Sequence, residues 1–345
     1  MASNKSLSVD EQRQAMAEAE AAGLEYIGPC PAHLHEAWID IPVAGAQANR
    51  TKVVWPSPPA KLPIQCPLIV YFHGGGLSVC SPDLVLAPAR GFAELFNCVV
   101  ACPTLNQLPE QPFPAPVQIA WDVCVWLSDG DNLNNSVLKD AGAQVNLGRG
   151  FVVGGLSSGG TAAAVIGSIP GAARAGVKDF VGLSSLRSPI TGIFSGLPFL
   201  ITKDIVPLRY RDLFRSREDN FEYKAANEAL RLDLESRLTL DSPWFSPVNL
   251  DLTDPKITQD HSPKVFVYGG QFDQFRDDSV IYAKWLSESV GVQVKSTVLE
   301  GEGHTAWVSP PWPASHSRKI KEMTLDGMAW LLNVEFDKKQ ENLPI

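Results

Sequence analysis

A serine hydroxyl attacks a carbonyl only when a base takes its proton and donors receive the charge that develops on oxygen. In this chain of 345 residues one serine stands where both are provided for. Ser157 lies in Gly155-Leu156-Ser157-Ser158-Gly159, directly after the apolar run Phe151-Val152-Val153-Gly154 and before the small-residue stretch Gly160-Thr161-Ala162-Ala163-Ala164. This reads as a strand, a sharp turn and a helix, with glycines two residues either side of the serine relieving the crowding of the turn. The helix start also favours negative charge. Glycine-rich strand ends arise from packing alone, so the strand and helix around the pattern carry the reading. A second glycine-rich turn, His73-Gly74-Gly75-Gly76, follows the apolar run Leu68-Ile69-Val70-Tyr71-Phe72. Without side chains, the amides of Gly75 and Gly76, with Gly74 as a further candidate, can turn toward a substrate oxygen; the amide of Ser158 completes an oxyanion hole. His73 precedes the glycines at a strand end and reads as a brace for the loop.

Six histidines compete for the role of base: His33, His35, His73, His261, His304 and His316. His304 closes Gly301-Glu302-Gly303-His304, a loop just past the last apolar run, Val292 to Val298. His261 precedes a run, and His316 sits in a proline-rich approach to the last helix. An acid that orients the imidazole and stabilises its charged form is expected after the preceding run, Val265 to Tyr268, and Asp273 stands there. Asp277 and Asp278 lie slightly farther on and read as acids in the first turn of a helix.

The elements that must position these groups alternate in type. Apolar or β-branched runs predict strands at Trp38 to Val43, Thr51 to Trp55, Leu68 to Phe72, Cys98 to Cys102, Phe151 to Val153, Phe180 to Leu183, Val265 to Tyr268 and Val292 to Val298. Helical stretches lie between several of them, at Pro116 to Ser128, Gly159 to Ile169 and Asp277 to Val290. Such alternation predicts an α/β fold with a mostly parallel sheet. A capping box, Ser8 with Glu11, opens a leading helix expected to end near Gly23. From about 186 to 249 no strand is expected, but a helical pattern from Phe221 to Leu238 and four arginines (Arg209, Arg211, Arg215, Arg217) are present. We read one domain over 1–345 and this block as a cap inserted over the sheet. The arginines read as a solvated face, with anion recognition as the competing reading. Phe194, Leu197, Phe199, Trp244, Phe245 and Trp307 are candidates for an apolar pocket, with core packing as the competing role.

Composition narrows the partners. The chain has 29 basic and 38 acidic residues, a net charge of -9 that disfavours nucleic acid and anionic membrane surfaces. The start of the chain has no apolar signal core and no run is long enough to span a membrane, so a cytoplasmic protein is expected. The six cysteines lack metal-ligand spacing and read as buried reduced thiols.

These motifs resemble the hormone-sensitive-lipase-type branch of the α/β-hydrolase family, which includes carboxylesterases and arylacetamide-deacetylase-like enzymes. The likeness rests on His73-Gly74-Gly75-Gly76, Gly155 to Gly160, Asp273-Gln274-Phe275-Arg276-Asp277-Asp278 and His304, with Leu108 to Ala115 similar to the family's proline-rich segment. The order Ser157, Asp273, His304 is also that of the family. Leu156 and Asn106 depart from it, standing where an acidic residue and an arginine are usual. The resemblance implies an eight-stranded, mostly parallel sheet flanked by helices and carrying a helical cap built from about 1–40 and from the insertion at about 186–249. It implies hydrolysis of small-molecule esters or lactones of short to medium acyl length, with neither metal nor organic cofactor. An acyltransferase, lactonase or cyclase could use the same three side chains. Related plant hormone receptors lack the histidine, and the presence of His304 argues against a binding role. Oligomeric state stays open, a homodimer included.

Overall fold

The computed structural model describes residues 8–45, 48–57, 63–105, 108–219, 224–251, 254–304 and 314–337. Its centre is a sheet of eight strands in the order β1-β2-β5-β4-β7-β8-β9-β10. They are β1 (Leu34–Ile41), β2 (Asn49–Pro56), β4 (Leu68–Phe72), β5 (Val99–Pro103), β7 (Phe151–Leu156), β8 (Gly192–Gly196), β9 (Lys264–Gly270) and β10 (Gln293–Leu299), while β3 (Ile64–Cys66) and β6 (Ala143–Val145) form a separate parallel pair. β2 runs antiparallel to both β1 and β5, and every other neighbouring pair is parallel. Strands β4, β5 and β7 are buried along their whole length, as parallel strands covered on both faces must be.

The helices are α1 (Val9–Ile27), α2 (Leu86–Phe96), α3 (Ala115–Leu127), α4 (Gly130–Asn134), α5 (Ser158–Ala175), α6 (Ser216–Asp219), α7 (Lys224–Arg237), α8 (Pro255–Gln259), α9 (Arg276–Trp285) and α10 (Ala314–Leu332). Alternate residues along each strand face opposite sides, so the sheet divides the core in two. Val70, Phe72, Val153, Ile193 and Val267 pack toward α3, α5 and α9. Ile69, Tyr71, Val152, Phe194, Phe266 and Tyr268 pack toward α2 and α10.

Four sequence expectations need correction. Phe180–Leu183 is not a strand: Lys178–Phe180 is a short 3-10 turn and Gly182 adopts φ +84. The strand beside β7 is instead Gly192–Gly196, inside the segment expected to hold none. Its glycines and the nearby Pro189 and Pro198 speak against a strand by propensity, but burial between two parallel neighbours decides. The leading helix opens on the expected capping box, with Glu11 N–H donating to Ser8 Oγ at 3.3 Å, yet it runs through Gly23 to Ile27 and closes at Gly28, φ 72. Residues 34–41, assigned to the cap, form the edge strand β1. We therefore propose that the cap is α1 with the segment from 197 to 249.

Trp121, on α3, tests this core. It is 2% exposed and its indole N–H donates to the Ser184 carbonyl at 3.1 Å. Trp121→Ala is expected to lower stability by about 3–5 kcal/mol, measured as a fall in the urea midpoint.

Candidate active site

β4, β7, β9 and β10 run in one direction, so their carboxyl ends meet at one edge. From that edge rise His73 to Gly76, Ser157, Asp273 and His304. At Ser157 the backbone takes φ 54, ψ -120, a left-handed value that a side-chain-bearing residue adopts only under constraint. The constraint is how closely the end of β4 approaches the start of α5. A Cβ at Gly159 would lie 2.4 Å from the Phe72 carbonyl oxygen and 2.6 Å from that of His73; one at Gly155 would lie 2.5 Å from the same Phe72 oxygen. Only glycine fits at either place, which is the physical content of the sequence pattern.

Ser157 caps α5, but its hydroxyl makes no capping bond to the helix. It meets His304 Nε2 at 2.9 Å instead. On the other side of the ring, His304 Nδ1 lies 2.9 Å from Asp273 Oδ2, and the second oxygen of Asp273 accepts the Phe275 N–H at 2.8 Å. Asp273 is 1% exposed, so its orientation is fixed by these partners. Phe275 also sets its ring edge-on to that of His304, with centroids 5.3 Å apart. Burial acts to lower the pKa of His304, but the charge and hydrogen bond of Asp273, with a contribution from Asp278, leave it raised.

The glycine turn lies over Ser157. Gly75 and Gly76 have φ 105 and 61, and the Gly75 carbonyl accepts the N–H groups of Ser78 and Val79 at 3.0 Å each. Among the described residues, none takes a hydrogen bond from the amides of Gly75, Gly76 or Ser158. Gly74 instead approaches the serine side chain, its Cβ direction ending 3.2 Å from Ser157 Cβ. His73 is a brace: Nδ1 lies 2.6 Å from the Gly74 carbonyl, and Nε2 accepts the Leu105 N–H at 2.9 Å. Burial lowers its pKa to about 4, so the ring stays neutral and keeps that tautomer.

The other histidines lie elsewhere. His33 pairs with Glu94, His35 stacks on Trp55, and His261 is buried just before β9 at the opposite edge, its pKa lowered to about 4 by burial. The side chain of His316 lies outside the described residues. Beside Ser157 is a cavity of about 30 Å³, lined in part by Leu77, Phe113, Leu234, Leu238 and Phe275. Of the expected pocket residues, Phe199, Trp244 and Phe245 line it. Phe194 does not. Its place on β8 turns it to the opposite face of the sheet, where it packs on Phe266, Tyr71 and Tyr268 at 5.1, 5.7 and 6.0 Å. Leu197 is buried in that same core and does not line the cavity either. Trp307 lies outside the described residues. Among the described residues no cluster of His, Cys, Asp or Glu could hold a metal ion, and no helix is long and apolar enough to cross a membrane. Their cysteines are all free thiols, five buried and Cys30 partly so.

The sequence reading missed Arg217. Expected on a solvated face, it reaches from α6 onto the loop that carries Asp273. Its guanidinium donates to the carbonyls of Gln274 and Ile201 and to Asp278 Oδ1, the last at 2.8 Å, and lies 4.9 Å from the ring of Phe275. Asp278 is no simple helix acid. Burial pushes its carboxyl up to about 6, while Arg217 and the N–H groups of Leu200 and Ile201 pull it down. Four arginines in a divergent segment carry no mark in the sequence of which one turns inward.

The family profile described as alpha/beta hydrolase fold matches residues 69–308. The carboxylesterase NlhH of Mycobacterium tuberculosis (strain CDC 1551 / Oshkosh) is 27% identical over 247 residues, 71% of this chain and 69% of that protein. The esterase LipI of Mycobacterium tuberculosis (strain ATCC 25618 / H37Rv) is 31% identical over 137 residues, which span 39% of each chain. Among solved structures, that of a vibralactone cyclase superposes with a TM-score of 0.74 at 19% identity, covering 96% of this chain and 91% of the other. The chain thus belongs to the α/β-hydrolase family, in the hormone-sensitive-lipase-type branch that its motifs resemble.

Two outcomes are expected. Arg217→Ala leaves the fully buried Asp278 without its cation and should cost about 3–5 kcal/mol in urea unfolding. Gly159→Ala should abolish reaction of Ser157 with a fluorophosphonate probe, read by mass spectrometry, because the serine turn cannot form with a Cβ against two carbonyl oxygens.

Proposed function

We propose that the protein is a carboxylic ester hydrolase with Ser157 as nucleophile, His304 as base and Asp273 as the acid that orients it. The reading is carried by one observation, the continuous chain of contacts from Ser157 Oγ through the imidazole to Asp273, 2.9 Å at each step. The family relatives named as esterases support it.

The reaction has two halves. Ser157 Oγ attacks the ester carbonyl while His304 Nε2 takes its proton, and Asp273 stabilises the imidazolium that results. The oxyanion is held by the amides of Gly75, Gly76 and Ser158, with Gly74 near enough to the serine to shape the same turn. Collapse expels the alcohol, which takes the proton from His304, and leaves an acyl group on Ser157. Water then repeats the sequence and frees the acid. No step calls for a metal or organic cofactor. The substrates are small-molecule esters or lactones, and the narrow apolar cavity favours short acyl groups, since its 30 Å³ is far below the roughly 300–1,000 Å³ of pockets that take drug-sized ligands. Leu234 and Leu238 extend from the α7 side of the cavity and limit its depth.

The test is turnover of p-nitrophenyl esters from acetyl to octanoyl. The acetyl and propionyl esters should be preferred, Ser157→Ala should remove turnover of all of them, and Leu234→Ala should shift the optimum to longer chains. Equal, low rates for the unmodified protein and Ser157→Ala on every ester would refute the reading.

Acidity gives a second test. Only neutral His304 accepts a proton, so turnover rises as pH rises through its raised pKa. Asp273→Asn removes the interaction that raises it, so the acidic limb of the kcat/KM profile should move to lower pH while kcat falls by roughly 10⁴.

A further inference from the structure

The cavity beside Ser157 has a wall of aliphatic and aromatic side chains, with three hydroxyl-bearing residues among them: Ser157, Ser158 and Thr161. Two of these are already committed. Ser157 Oγ meets His304. Thr161 Oγ1 donates to the Phe199 carbonyl and accepts the Phe199 N–H, each at 3.0 Å, which ties α5 to the segment after β8. The third is different. Ser158 Oγ is buried and, among the described residues, has no hydrogen-bond partner. A hydroxyl held in apolar surroundings without a partner is unfavourable, and folded proteins pair nearly all such groups. An alanine would fill the same wall without that cost.

The position of the hydroxyl says what it can meet. Consecutive Cα atoms lie about 3.8 Å apart, so a group on Ser158 reaches only the part of a substrate within two or three bonds of the carbon that Ser157 attacks. The leaving alcohol must take its proton from His304, and His304 does not line this cavity. The cavity is therefore on the acyl side. We infer that Ser158 Oγ is a specificity-determining group and that the acyl part of the substrate carries a hydrogen-bonding oxygen, a hydroxyl or keto group, on the first or second carbon beyond the scissile carbonyl. The inference rests on the hydrolase reading above and sharpens it from short acyl esters to short oxygenated ones. The hydroxyl donates to that oxygen or accepts from it, while the amide of the same residue serves the oxyanion.

Discrimination of this kind is asymmetric. A purely apolar pocket distinguishes weakly between a methylene and a hydroxyl, whereas a site with a polar group to satisfy penalises the analogue that leaves it unpaired. Two matched pairs of p-nitrophenyl esters measure this: propionate with 2-hydroxypropionate, and butyrate with 3-hydroxybutyrate. Rates are taken per active site, counted with a fluorophosphonate, for the unmodified protein and Ser158→Ala, and per protein chain for Ser157→Ala. Each pair with each enzyme forms a cycle in which the intrinsic reactivity of the ester cancels. Ser158→Ala, which keeps the backbone amide, should lower kcat/KM for at least one hydroxylated ester roughly tenfold to hundredfold more than for its plain partner. Equal loss on both members of both pairs would overturn the inference while leaving the hydrolase reading intact. Rates no higher than those of Ser157→Ala on all four esters would remove both.

Discussion

The site depends on one close approach. The last carbonyl of β4 and the first of the glycine turn come so near the start of α5 that no side chain fits between them, and this contact holds Ser157 at a positive φ. Such strain persists only where the surroundings over-determine it. Here they do: β4 and β7 pair along their whole length, and the Ser157 amide donates to the Gly196 carbonyl at 2.8 Å. The same approach brings the glycine turn over the serine, so the hydroxyl and the amides proposed to hold the oxyanion are placed by a single packing event.

The proposed acid and base are fixed by other means. Asp273 stands on a loop held on one side by residues 215 to 217. Besides Arg217, the amides of Arg215 and Ser216 donate to Asp277 at 2.6 Å, and Ser216 Oγ donates to the Gln274 carbonyl at 2.7 Å. The stretch that holds these groups thus lines the cavity, through Phe199, Trp244 and Phe245, and braces the loop of Asp273, the proposed orienting acid. The Phe275 ring meets all of these groups: it is edge-on to His304, stacked with Phe199 and 4.9 Å from the guanidinium of Arg217.

Much of this was legible in the sequence wherever local chemistry forces the residue type. The serine turn and the glycine turn declare themselves because only glycine fits, and β4, β7 and β9 because strands covered on both faces read as apolar runs. β8 was missed for the opposite reason: its length is five residues, glycine ends it on both sides, and the neighbours that hold it are far away in the chain. Phe194 and Leu197 were assigned to the pocket by nearness to the cap in sequence, but the two-residue period of a strand sends Phe194 to the other face. The arginine segment was opaque because burial of one cation among four is decided by a distant carboxylate.

Arg13 of α1 donates to the Ser78 carbonyl at 2.9 Å, and Arg237 at the end of α7 donates to the hydroxyl of the same serine at 2.9 Å. Two arms far apart along the polypeptide therefore converge on one residue, two positions beyond the glycine turn. Neither arm can drift without tugging on it. Remodelling the roof of such an enzyme to admit new molecules would have to proceed in concert, since a graft that replaced one arm alone would inherit an anchor shaped by the other.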